Sequence, residues 1–179
     1  MDKFSDMALV TQVVMFRNKR AFDSLVKKYQ SPIRRFFLHQ TLGDAQLSDD
    51  LAQDTFIKAY TSLSQFRGLS GFSTWLYRIA YNVLYDYTRS HRLTYDVDTS
   101  EIRKRSDSVT DSGLKIDIYE GLRLLKEEER LCVTLQLIDG LQIEKISEIT
   151  GLAAGTVKSH LSRGKKKLAM YLKENGYDR

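Results

Sequence analysis

One cysteine, one proline and three histidines among 179 residues each remove a class of answer. Cys132 has no partner for an intramolecular disulfide, and one thiol with three scattered imidazoles does not make a structural zinc site, so a reducing compartment fits. No stretch approaches the roughly 20 apolar residues of a membrane span, and no basic start precedes an apolar core as in a signal peptide. The expectation is a soluble, cytoplasmic protein without direct membrane insertion. Period-two alternation is absent, so strands are not expected. No nucleotide-cradling glycine loop, metal-ligand cluster or nucleophile–base constellation can be read. The chain is therefore expected to be no enzyme, with no catalytic residue, cofactor or metal.

What is present is ample apolar material, 42% hydrophobic and 11% aromatic, with a net charge of +5 and a pI near 9.2. Such composition supports packed cores and favours polyanion partners. The charge is localised: residues 152–179 hold seven basic and two acidic side chains, so this segment carries a net +5 and the remainder is balanced. Helical apolar spacing predicts helices over about 6–16, 19–41, 45–63, 72–91, 115–126, 128–138, 142–149 and 154–174. Between His91 and Gly113 the chain is polar, charged and aperiodic. It reads as a flexible linker over 93–112, whose random-coil span would be about 25 Å. The expected architecture is all-α: two small helical domains, 6–92 and 113–176, the second with a helix-turn-helix.

Residues 143–168, IEKISEITGLAAGTVKSHLSRGKKKL, read as two helices around a turn marked by Gly151. In the second helix Val157, Leu161, Gly164 and Leu168 fall on one narrow stripe, whereas Lys158, Ser159, Ser162, Arg163 and Lys166 fall opposite. Thr156, near the helix start, is a candidate cap or phosphate contact. A buried stripe with a basic face behind it is the pattern of a recognition helix that lies on duplex DNA.

Three upstream segments carry further signals. In FSTWLYRIAYNVLYDYTR, from Phe72, the residues Leu76, Ile79, Ala80, Val83 and Tyr87 make a core face, while Trp75, Arg78, Asn82, Tyr85 and Arg89 gather on another. That strip suits unpaired bases, which aromatics and guanidinium groups stack upon and an amide can read. It is equally a half-buried core edge with Trp75 packed inward. Residues 66–72, FRGLSGF, form a two-glycine loop that can serve as a pocket for an extruded base or simply as a flexible turn. In DDLAQDTFIKAY, from Asp49, Leu51, Ala52, Thr55, Phe56 and Ala59 make the core side and Asp50, Gln53, Asp54 and Ile57 the other. Ile57 among acids is a lone surface apolar residue or part of an acidic face for a basic protein partner.

These segments, in this order around a linker, resemble bacterial sigma factors of the extracytoplasmic-function (ECF) class, in the sigma-70 family of RNA polymerase initiation subunits. The resemblance implies binding to core polymerase, through the β′ clamp helices and the β flap. It assigns the clamp contact to Asp50, Gln53, Asp54, Ile57 and Lys58. It implies strand separation and minus-ten reading by Phe66, Arg67, Ser70, Gly71, Phe72, Trp75, Arg78, Asn82, Tyr85 and Arg89, on melted single-stranded DNA. It implies minus-thirty-five duplex contacts from Thr156, Lys158, Ser159, His160, Ser162, Arg163 and Lys166. An anti-sigma factor covering both domains, often membrane-anchored in this family, and a stress or envelope-signal response are also implied. The pattern departs from the family at Ala153, with proline common nearby, at His160 for arginine, at Gly164 for alanine, and near Lys126, where a proline is common. The run Glu127–Glu129 reads as the solvated first turn of a helix, and Cys132 as a small buried apolar residue, with redox sensing the alternative. A stand-alone dimeric helix-turn-helix repressor, which leaves the strip and the acidic face without a task, and a helical adaptor that uses its basic tail only for solubility are the rival readings.

Overall fold

The computed structural model describes residues 3–95 and 113–177. Among the described residues eight helices run in order: α1 Lys3–Phe16, α2 Lys19–Gln40, α3 Ala45–Ser62, α4 Phe72–Tyr95, α5 Gly113–Arg123, α6 Glu127–Leu137, α7 Ile143–Thr150 and α8 Ala154–Glu174, with a 3₁₀ turn at Leu63–Gln65. No strand occurs among the described residues. The expected all-α, two-module layout holds: α1–α4 form one bundle and α5–α8 the other. One boundary is corrected. Helix α4 continues to Tyr95, so the expected linker began inside it; residues 96–112 of that linker lie outside the described residues.

Local chemistry explains the element ends. The Asn18 side chain accepts from the Arg20 and Ala21 amides to start α2, and Asp44 accepts from Leu47 to start α3. Helix α2 runs through Pro32, which removes a backbone hydrogen bond at a cost of about 3 kcal/mol. Tyr29, Ile33, Phe36 and Phe37, all essentially without exposure, flank it; burying one such side chain contributes about 1.5–3 kcal/mol, so packing outweighs the defect. Gly151 ends α7 in the left-handed conformation at φ 75°, where a side chain would be strained.

The first module's core joins Leu25, Ile33, Phe36 and Phe37 of α2 to Leu51 and Ala59 of α3 and Leu76, Ala80 and Val83 of α4. The second joins Leu131, Cys132, Val133 and Leu135 of α6 to Ile146 and Ile149 of α7 and Val157 and Leu161 of α8. Cys132 is fully enclosed, and burial followed by the Glu128 charge pushes its thiol up to about 11, leaving little reactive thiolate at neutral pH. The two modules touch: α2 packs on α6 and α4 on α7.

Two expectations follow. In native protein at pH 8, Cys132 should resist alkylation and react only after denaturation, as mass spectrometry of thiol labelling would record; rapid native labelling would restore the redox alternative. Gly164 is buried against α6, and a Cβ placed there would lie 2.7 Å from Val133 Cγ2. The valine is buried and its χ1 is stiff. Gly164→Ala should therefore lower stability by about 1–2 kcal/mol in urea titration, because overpacking exceeds the helix-propensity gain.

Candidate nucleic-acid interface

Helix α8 turns one side into the core and the other to solvent. Val157, Leu161 and Gly164 are buried and Leu168 half-buried, whereas Thr156, Lys158, Ser159, Ser162, Arg163 and Lys166 are exposed. This is the partition read from helical spacing. His160 is half-buried, and its Nδ1 lies 3.2 Å from Arg163 Nη2. Of the two alternatives for Thr156, cap or phosphate contact, the cap does not hold. The N-cap is Ala153, which makes no side-chain capping bond, and Thr156 lies exposed within the helix.

Glu129 is a second correction. The expected solvated run holds at Glu127 and Glu128, which are exposed, but Glu129 is 1% exposed. It accepts from Lys167 Nζ at 2.6 Å and from the Lys126 amide at 3.2 Å, with Arg163 Nε at 3.5 Å. Burial pushes this carboxyl up, but the Lys167 and Lys126 hydrogen bonds and the Lys167 and Arg163 charges outweigh it and hold it below its ordinary value of 4.5. The Lys126 N–H is a donor that a proline at this position would lack. Glu129 thus tethers two cations of α8 from beneath. Its burial had a visible signal: it stands three and four residues before Cys132 and Val133, on their stripe.

In the first module Phe66 and Phe72 stand edge to face at 5.7 Å, with Trp75 5.3 Å from Phe66 and 5.6 Å from Phe72. Phe72 is buried and Phe66 and Trp75 half-buried. The open question about Trp75 is resolved inward: it braces the loop instead of standing free on the strip. Arg78, Asn82, Tyr85 and Arg89 remain exposed along α4. Arg67 is exposed, while Ser70 and Gly71 are half-buried at the loop's end. The loop is also held from α1: Gly68 has φ 69°, and a Cβ there would meet Met7 Cε at 2.3 Å. Beneath it, Tyr29 stacks near Phe72 at 5.4 Å and donates to Asp6 at 2.5 Å, and Lys28 pairs with the same carboxylate. Sequence reading missed Asp6, although it shares a stripe with Val10 and Val13.

On the far side, Asp50, Gln53, Asp54, Ile57 and Lys58 of α3 are all exposed, Ile57 at 53%. Lys58 donates to Asp86 of α4 at 3.2 Å. Gln53 and Ile57 line a groove of about 690 Å³ between α2 and α3, together with Phe22, Val26, Phe56 and Tyr60. Phe56, assigned to the core, is half-buried and forms part of this wall. The contribution of α2 was not visible beforehand, because it depends on how two helices cross. Among the described residues no group of three or more His, Cys, Asp or Glu side chains could hold a metal, and no helix is long and apolar enough to cross a membrane.

Comparison with known proteins matches residues 25–94 to sigma-70 region 2 and residues 115–168 to sigma-70 region 4. The chain is 31% identical to the ECF RNA polymerase sigma-E factor of Haemophilus influenzae, over 92% of this chain and 94% of that one. It is 32% identical to the ECF RNA polymerase sigma factor SigW of Bacillus subtilis, over 86% and 90% of the two chains. Its fold is similar to that of the sigma factor RpoE of Bartonella quintana, solved in complex with the anti-sigma factor NepR, with a TM-score of 0.73, 27% identity and coverage of 88% and 98%.

A carboxyl held below its unfolded-state value stabilises above that value and loses its contribution as pH falls through the folded one. Glu129→Gln should therefore lower stability by about 1–2 kcal/mol at pH 7. It should also flatten the acid limb below pH 4.5 in denaturant titrations across pH. An unchanged acid limb would contradict the tether.

Proposed function

The chain belongs to the ECF class of the sigma-70 family, and from that premise we propose how its residues divide the work of directing RNA polymerase core to promoters. A sigma factor is an initiation subunit and not an enzyme; polymerase supplies the chemistry. The single observation that carries the division is the separation of three exposed faces: the basic side of α8, the polar strip of α4, and the acidic face of α3 beside the apolar-lined α2–α3 groove.

In this reading the basic face of α8 docks the minus-thirty-five duplex. Arg163 and Lys158 supply charge to phosphate or base edges, Ser159, Ser162 and Thr156 supply hydroxyls, and Lys166 extends the phosphate track. His160 is a weaker phosphate contact than arginine, since an imidazole cannot offer the bidentate fork of a guanidinium. Arg78, Asn82, Tyr85 and Arg89 receive the melted minus-ten strand, with Tyr85 and the arginines as stacking planes. Arg67, Ser70 and Gly71 border a pocket for an extruded base, and Phe66, Phe72 and Trp75 set the loop's shape from below. The α3 face of Asp50, Gln53, Asp54 and Ile57, with Lys58 at its margin and the groove beside it, fits the β′ clamp helices; the second module meets the β flap. Each contact is modest. Joining them on one polymerase raises effective concentration and converts two weak interactions into promoter selection.

Restraint by an anti-sigma factor is part of the proposal, supported by the similarity to a sigma factor solved with one bound. The bacterial cytoplasm, where polymerase works, is the proposed compartment, and a stress or envelope signal the proposed input.

The test is core pull-down followed by run-off transcription at low salt. Ile57→Asp should abolish core capture with the fold intact. Arg163→Ala and Lys158→Ala should retain core capture and lose promoter binding by about 1–3 kcal/mol for a base contact. A phosphate contact would instead reduce the salt slope by about 1. Tight duplex binding by the free chain with no capture by core would overturn the reading.

A further inference from the structure

Arg163 is held from two sides. Its Nε lies 3.5 Å from Glu129 Oε1 of α6, and its Nη2 lies 3.2 Å from His160 Nδ1 of its own helix. A guanidinium carries five donors and no acceptor, so the second contact has one direction: Arg163 donates, the imidazole Nδ1 accepts, and the ring proton sits on Nε2. His160 and Arg163 stand three residues apart and so share a face of α8, the first half-buried and the second exposed. Glu129 is itself anchored, being 1% exposed and bound by Lys167 Nζ at 2.6 Å and the Lys126 amide at 3.2 Å. The two contacts do different work. A carboxylate 3.5 Å away attracts the cation without choosing its orientation, whereas the hydrogen bond to Nδ1 selects how the guanidinium plane is turned.

That turn decides which donors remain. The contacts engage Nε and one N–H of Nη2, so the Nη1–Nη2 edge of the fork keeps a pair of donors. Such a pair matches guanine O6 and N7 in the major groove, and no other base presents two acceptors there. Phosphate needs no fixed plane; the exposed Lys158 and Lys166 serve it as rotatable point charges. The Arg163 side chain is 56% exposed, so the tether leaves most of it on the surface. Ordering a long side chain before DNA is met spares a cost equivalent to roughly twofold to tenfold in affinity. An oriented fork also penalises a wrong base, because a donor then meets a donor or nothing.

We infer that His160 is a positioning residue for Arg163: its Nδ1 turns the guanidinium so that Arg163 reads a guanine edge in the minus-thirty-five duplex, while its Nε2–H is left for a backbone phosphate. The inference rests on the promoter reading above and names the side chain that sets one base preference within it. An arginine at 160 would offer Arg163 only donors and a like charge, so it would gain a phosphate contact and lose the orientation.

The experiment titrates core polymerase carrying the full chain against its promoter and every single base-pair substitution of the minus-thirty-five element, with circular dichroism of each variant reporting the fold. Arg163→Ala should erase the preference for guanine at one base pair. His160→Ala should narrow the preference at that same pair roughly threefold to tenfold, on top of a small uniform loss, and should narrow nothing further once Arg163→Ala is present. His160→Asn, whose Oδ1 stands where Nδ1 does, should restore the preference. His160→Arg should bind every sequence more tightly, with a salt slope steeper by about 1, and still lose the preference. An Arg163→Ala variant that keeps every preference would overturn the inference. So would a uniform loss alone in His160→Ala, or an undiminished preference in His160→Arg; each of these leaves the promoter reading standing. Holoenzyme indifferent to every upstream base pair would overturn the promoter reading, and the inference with it.

Discussion

A carboxylate taken out of water must be met by cations or donors, and three carboxylates in this chain impose that condition at three joints. Asp6 fixes α1 to α2 through Tyr29 and Lys28. Glu129 fixes α6 to α8 through Lys167 and the nearby Arg163. Asp139 joins the modules through Arg35. Each would be a liability if left unpaired, since removing one partner strands a buried charge at a cost of several kcal/mol. Apolar packing supplies most of the stability of both bundles, but it is tolerant of register. The carboxylates choose among registers.

Function depends on those choices at one remove. None of the three carboxylates faces the surfaces assigned to DNA or polymerase, yet two of them, Asp6 and Glu129, lie under one. Asp6 and Tyr29 stand beneath Phe72, which braces the loop of the proposed base pocket. Glu129 stands beneath Arg163 and Lys167, so the basic face of α8 proposed to meet DNA is partly preorganised. Preorganisation matters because freezing a long cationic side chain on binding costs about 0.5–1.5 kcal/mol. The trade is that Arg163, held near Glu129, must exchange some of that attraction for a phosphate or base.

Much of this was legible from spacing. The 3.6-residue period identified every helix, and the stripes of α8 and α3 sorted buried from exposed residues because each helix packs on one side only. Gly151 marked the turn because a left-handed residue there favours glycine. Trp75 was ambiguous for a physical reason: a large aromatic at a core edge satisfies either assignment, and only its contacts with Phe66 and Phe72 decide. Glu129 and Asp6 were missed although they stood in apolar stripes, because a charged residue is ordinarily exposed. Asp139 and Arg35 carried no signal at all. Their pairing spans about a hundred residues of chain and depends on how two bundles dock, which no local period encodes.

The central claim is that two small modules read two separated promoter elements while polymerase holds them apart. Footprinting of core polymerase with this chain, on a promoter located by mapping transcripts after forced expression, tests it most directly. Hydroxyl-radical protection should fall in two patches about 25 base pairs apart, with permanganate-reactive unpaired thymines only in the downstream one. A single palindromic footprint made by the free chain, with no reactive thymine, would contradict the account.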